Sequence, residues 1–142
     1  MRGWLLDTNV LSELRKIRCK PSVRQWVDAR HPGELFLSTV TFAEIRFGIA
    51  RLPDPARRHE LNHWLDAELR PWFGGRLLKI TEDVILRWRE MVERGRKRGH
   101  TLSQPDLFIA ATADLHDLCV ATRNESDFAL AGVAVVNPWH PA

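Results

Sequence analysis

Short apolar runs alternate along the chain with longer stretches in which apolar residues recur at helical spacing. Residues 3–6 predict a short buried strand. It runs into Asp7, Thr8 and Asn9, all residue types that cap helices, and Val10, Leu11, Leu14 and Ile17 follow at helical spacing. A second helix starts at Pro21 and Ser22 with Val23, Trp26 and Val27 inward, and Gly33 closes the loop behind it. Residues 34–38 read as the second strand, after which Thr39 or Thr41 caps a helix carrying Ala43, Phe47 and Ala50 on one stripe. Pro55 opens a long amphipathic helix that reaches about Trp72, where Gly74 and Gly75 stop it, and residues 76–80 form a third strand. Thr81 starts a helix running past Trp88 and Met91 to the basic cluster Arg94, Arg96, Lys97 and Arg98, ending at Gly99. Ser103 opens the most regular helix, with Phe108, Ala111, Thr112 and Leu115 on one face. Residues 118–122 give a fourth strand, Ser126 to Phe128 a short helix, and residues 133–136 the last strand.

Strands alternating with helices predict an α/β fold, a mostly parallel sheet of about five strands with helices on both faces. In open sheets of this kind ligands bind beyond the carboxyl ends of the strands. A length of 142 residues predicts one domain over the whole of 1–142. Hydrophobic residues at 44% and charged residues at 27% suit a packed core and exclude a disordered chain.

The net charge of +3 conceals a polarised sequence: residues 1–98 carry a net +7 and residues 99–142 a net −4. Such asymmetry suits a basic surface for nucleic acid, an acidic pocket for a cation, or both. Cys19 and Cys119 are too few for a disulfide framework and point to a reducing compartment. The apolar stretch at the N-terminus is shorter than the roughly 7–15 residues of a signal-peptide core. No segment approaches the ~18 apolar residues of a membrane span, so a soluble cytoplasmic protein is expected.

Four polar positions stand out because each follows a strand or opens a helix. Taken alone, Asp7 reads as an N-cap, Glu44 as an acid favoured by a helix dipole, and Asp106, three residues after Ser103, as part of a capping box. The segment from Thr122 through Arg123 and Asn124 to Asp127 reads as a polar turn. Together they fall at one edge of one sheet and can converge on a single crevice. Several carboxylates gathered there need a cation, and hard oxygen ligands select Mg²⁺ or Mn²⁺. Zinc is disfavoured, because His59 and His63 lie among Arg57, Arg58 and Glu60 on what reads as a solvated helix face. Trp26, Trp64 and Trp88 fall on amphipathic stripes and read as core.

Four segments, residues 5–13, 41–48, 105–113 and 121–128, resemble in order the motifs of PIN-domain ribonucleases of the VapC toxin family, and the ending at residues 135–140 resembles the FitB branch. The resemblance covers essentially the whole chain. It implies a PIN fold (a three-layer α/β/α sandwich), Mg²⁺-dependent endoribonuclease activity with Mn²⁺ as a substitute, a homodimer, and inhibition by a cognate antitoxin of the VapB or FitA kind. Carried over by position, it makes Asp7, Glu44 and Asp106 the catalytic acids and metal ligands, with Asn124 as a fourth ligand and Thr8 and Asn9 holding Asp7 in place. Asn124 stands where many relatives have Asp, which favours one metal ion over two and leaves Asp127 as a compensating acid. That departure also keeps open a PIN module that binds RNA or protein without cutting. Arg46 and Arg123, beside two of the motif acids, are candidate contacts to RNA phosphates, and the cluster Arg94 to Arg98 is either another or a solvated helix end.

Overall fold

A computed structural model describes residues 2–99 and 102–141; His100 lies outside them. Five strands, β1 (Gly3–Leu6), β2 (Leu35–Ser38), β3 (Leu77–Leu78), β4 (Leu118–Ala121) and β5 (Val135–Val136), form one sheet in the order β3-β2-β1-β4-β5. All four pairings are parallel, with Leu5 opposite both Phe36 and Val120. Parallel pairing requires crossovers, and helices supply them. They are α1 (Thr8–Leu14), α2 (Pro21–Asp28), α3 (Thr39–Ala50), α4 (Pro55–Trp64), α5 (Arg70–Phe73), α6 (Glu82–Lys97), α7 (Gln104–His116) and α8 (Glu125–Leu130).

The three central strands are buried on both faces, and their side chains divide by the period of two that a pleated strand imposes. Leu6, Leu35, Leu37 and Ala121 join a core with Val10, Val23, Trp26, Phe42, Leu65 and Phe73. Leu5, Phe36, Leu118 and Val120 face the other way, onto Val84, Met91, Ile109 and Phe128. The sheet thus lies between two helical layers, as the alternation of runs predicts. Gly3 is required where β1 passes β2, since a Cβ there would collide with the Glu34 carbonyl.

Several details depart from the sequence reading. Helix α1 ends at Leu14, so Ile17 is fully exposed instead of continuing the stripe. Helix α3 is capped by Ser38, whose hydroxyl accepts from the Val40 N–H, and not by Thr39 or Thr41. Its inner face carries Thr41, Phe42 and Ile49 with Ile45 beside them, while Ala43, Ala50 and Phe47, the last 64% exposed, point outward. The long helix from Pro55 is continuous to Phe73 but contains a π-helical turn at Leu65–Leu69, which buries Leu65 and Leu69. Strand β3 keeps only two of the five expected residues. Trp26 is core, Trp64 and Trp88 pack at its margins, and His59 and His63 are exposed on α4, as expected.

Candidate active site

Strand β1 lies between β2 and β4, and the chain moves to β2 on one side and returns later on the other. The crevice beyond its carboxyl end is therefore the topological switch point, where open α/β sheets bind ligands. Asp7 is the first residue after β1. It caps α1 and is only 4% exposed. Its Oδ1 accepts from the Thr8 N–H at 2.8 Å; its Oδ2 accepts from the Thr122 hydroxyl at 2.8 Å and the Asn9 amide at 3.3 Å.

Thr122 is the hub that joins β1 to β4. While donating to Asp7, its hydroxyl oxygen accepts from the Asn124 N–H at 3.0 Å and the Asn9 amide at 3.4 Å. The Asn9 carbonyl oxygen in turn accepts from the Arg123 N–H at 3.3 Å, fastening the turn after β4 to the start of α1. Each polar group thereby finds a partner, and the Asp7 carboxylate is held in one orientation.

Two further acids reach the crevice from crossover helices. Glu44 stands in the second turn of α3, where its Oε1 accepts a long hydrogen bond from the Thr8 hydroxyl at 3.5 Å. Asp106 stands in the first turn of α7, whose N-cap Ser103 accepts from the Asp106 N–H at 3.3 Å. Asp7, Glu44, Asp106 and Asn124 line one open cavity of about 430 Å³. Glu13, Lys16, Arg123 and Trp139 line the same cavity.

The three acids share one electrostatic condition. Burial pushes the carboxyl pKa up in each case, and the neighbouring acids add to it: Asp106 acts on Asp7, Asp106 and Asp7 on Glu44, and Asp127 on Asp106. Among the described residues no Lys, Arg or His forms an ion pair with any of them. Nor are three His, Cys, Asp or Glu side chains drawn together as a ready metal cage among those residues. Hard oxygen donors with uncompensated charge nevertheless suit a divalent cation of the Mg²⁺ or Mn²⁺ type, because its charge removes the repulsion that keeps them apart.

Most of the sequence candidates meet here; Asp127, Arg46 and the cluster Arg94 to Arg98 do not. Asp7, Thr8, Asn9, Glu44, Asp106, Arg123 and Asn124 all line the crevice. Asp127 sits on α8 within electrostatic reach of Asp106 but outside the lining. Arg46 is turned away: its guanidinium donates to Asn62 at 3.0 Å and to Asp66 at 2.7 Å, tying α3 to the helix from Pro55. Two positions along a helix from Glu44 is about 200° of rotation, so adjacency in sequence did not mean adjacency in space.

Residues not singled out from sequence complete the lining. Glu13, also 4% exposed, accepts from the Lys20 N–H at 3.0 Å and the Lys16 ammonium at 3.1 Å. The Arg123 guanidinium lies 5.1 Å above the Trp139 ring, and Asn137 holds Trp139 by accepting from its backbone N–H at 2.9 Å. The spacing of Glu13 and Lys16, three residues apart on a helical pattern, is the only signal of this pair in the sequence.

Comparison with known proteins agrees with this geometry. Residues 4–133 match the PIN domain. The chain is similar to the VapC ribonuclease Y4jK of Sinorhizobium fredii, at 39% identity over 97% of this chain and 99% of that protein. It is also similar to the toxin FitB of Neisseria gonorrhoeae, at 38% identity over 96% of this chain and 98% of that protein. A crystal structure of FitAcB from Neisseria gonorrhoeae superposes with a TM-score of 0.91 at 37% identity, covering 96% of this chain and 99% of the other. The fold, the four motifs at the sheet's carboxyl edge and these likenesses agree, and the chain belongs to the PIN-domain family, among the VapC and FitB toxins.

Proposed function

We propose that this protein is the toxin of a toxin-antitoxin pair and that the crevice beyond β1 hydrolyses phosphodiester bonds in RNA with the help of Mg²⁺. The observation that carries the reading is the trio Asp7, Glu44 and Asp106, which face one cavity with raised carboxyl pKa values and, among the described residues, no cation paired to them. Such a site favours binding a divalent ion, and the relatives named as a VapC ribonuclease and a toxin give that ion a purpose.

Asp7 and Asp106 are the metal ligands in this reading, Glu44 is a third ligand or the group that orients the attacking water, and Asn124 offers a neutral oxygen. A bound Mg²⁺ would supply a more acidic water and neutralise charge on the phosphate oxygens. The protein's own contribution is orientation. Thr8, Asn9 and Thr122 spend their donors on Asp7, so its carboxylate does not reorganise when substrate arrives. The partly buried, desolvated acids also strengthen any interaction with a cation.

Partners follow from the same reading. Relatives occur in complexes with the FitA and VapB proteins, including FitAB bound to a DNA fragment. An antitoxin that covers the crevice and offers its own cation to the acids would exclude both metal and RNA. The toxin is proposed to act as a homodimer in the cytoplasm, where free thiols such as Cys19 and Cys119 stay reduced. Among the described residues no helix is long and apolar enough to cross a membrane.

The test is incubation of antitoxin-free protein with structured and single-stranded RNA in Mg²⁺, Mn²⁺ or EDTA, beside Asp7→Asn. Cleavage by wild type in either metal, absent in EDTA and in the variant, is the expected result. Equal behaviour of wild type and Asp7→Asn in Mn²⁺ would overturn the enzymatic reading. RNA binding without cleavage in any metal would instead favour a non-cutting PIN module, the reading that the neutral Asn124 supports.

A further inference from the structure

The crevice gathers two sets of opposite charge that form no ion pair with each other among the described residues. Asp7, Glu44 and Asp106 line it together with Lys16 and Arg123. The charges that act on the three acids are those of other acids. Each cation instead has contacts of its own. Lys16 is tied to Glu13, a buried carboxylate whose other oxygen is occupied by the Lys20 N–H. Arg123 rests on the Trp139 ring, and its backbone N–H is fixed by Asn9. Glu13 feels the positive charge of both Lys16 and Arg123, so the two cations lie around one anchor.

Ordinary surface charges need no such anchoring. The Lys16 side chain lines the cavity and is 61% exposed although its ion-pair partner is buried, so its ammonium has donors left for another acceptor. Arg123 is exposed beside Trp139, and among the described residues its guanidinium has no hydrogen-bond or ion-pair partner, so it can take another acceptor. A ligand suited to both sets presents anionic oxygens to Lys16 and Arg123 while its reacting centre lies toward the acids. A phosphodiester backbone has this character, with an ionised phosphate at every step.

We propose, on the reading that this crevice takes RNA, that Lys16 and Arg123 form a clamp for the phosphates flanking the bond that is cut, with Glu13 and Trp139 holding the two cations in place. Lys16 is thereby a substrate-binding residue and Glu13 a positioning residue. Glu13 is set apart from the proposed metal ligands by the Lys16 ammonium, which already balances its charge.

Binding of a labelled single-stranded RNA, measured against KCl concentration in EDTA, tests the clamp apart from catalysis. The background is full-length, antitoxin-free protein carrying Asp7→Asn and Asp106→Asn, which is inert and relieved of two repelling charges. Lys16→Gln and Arg123→Gln should each reduce the slope of log affinity against log salt by ~0.7, and the pair by ~1.4, as for loss of one and two phosphate contacts on a single strand. Each single change should weaken binding about tenfold. Lys16→Arg should restore the slope, whereas Arg57→Gln, a cation paired with Glu60 on α4, should leave it unchanged. Slopes unaltered by Lys16→Gln and Arg123→Gln in variants that melt like the background would overturn the clamp, as would a background that binds no RNA. If the slopes fall as expected but wild type cuts no RNA in Mg²⁺ or Mn²⁺, the clamp stands and the ribonuclease reading alone fails.

Discussion

Asp7 and Glu13 stand at opposite ends of α1, face the same cavity and are each 4% exposed, yet their environments have opposite effects. Asp7 is held by a hydroxyl, an amide and a backbone N–H, all neutral donors, and desolvation outweighs them so that its pKa is raised. Glu13 is held by the Lys20 N–H and the Lys16 ammonium, and its pKa is lowered. Burial alone therefore does not mark a functional acid. What differs is whether the protein itself supplies the positive charge. Around Asp7 none of the described residues does, and the proposed function puts a metal ion there; around Glu13, Lys16 does, which makes that residue an anchor.

The largest effect that can break this comparison is on cleavage. Asp7→Asn should lower the rate of RNA cleavage in Mg²⁺ by about a hundredfold to a thousandfold, the usual loss when a group stabilising the reacting centre is removed. Gel-based turnover on one RNA checks it. Thr122→Val should come next, because it leaves Asp7 Oδ2, the Asn9 amide and the Asn124 N–H short of a partner. We expect about 10–100-fold weaker metal affinity by calorimetry, as for other groups that orient a metal ligand, and about 1–3 kcal/mol lower stability by urea unfolding.

Stability against pH in EDTA sharpens the contrast with smaller effects of opposite sign. An acid whose folded pKa is raised holds its proton more tightly in the native state. The stability contributed by Asp7, Glu44 and Asp106 is therefore complete below the ordinary carboxylate range near pH ~4 and is lost as pH rises through their raised values. Glu13 behaves in reverse, stabilising above that range and losing its contribution as pH falls through its lowered value. Melting curves should show Asp7→Asn gaining on wild type toward neutral pH and Glu13→Gln losing ground there. Parallel curves for the two variants would erase the distinction. The smallest expected effect is that of Asn124→Asp, which should keep or modestly raise Mn²⁺ affinity; a large loss would place that side chain outside the metal's reach.

The acidic half of the crevice was legible because its residues occupy positions that the topology dictates: the first residue after β1, early turns of α3 and α7, and the turn after β4. Strand ends and helix starts can be read from runs and caps, and a parallel sheet brings them to one edge. Helix rotation was less legible. Helix α3 is apolar on nearly every side, so its stripe was ambiguous until Ser38 fixed the start, and Phe47 and Arg46 fell on faces other than those expected. Arg123 was legible beside Asn124, whereas Lys16 and its anchor Glu13 were not, for a different reason. A glutamate three residues before a lysine is common on solvated helices, and that spacing does not announce that the Lys20 backbone returns to Glu13 or that Trp139 lies beside Arg123.

Titration of Mn²⁺ into antitoxin-free wild type, Asp7→Asn and Glu13→Gln tests most directly whether a charge left uncompensated by the protein defines the metal site. Wild type and Glu13→Gln should bind the ion with similar affinity, and Asp7→Asn should bind it at least about tenfold more weakly. Binding to Asp7→Asn as tight as to wild type, or its loss in Glu13→Gln alone, would contradict the account.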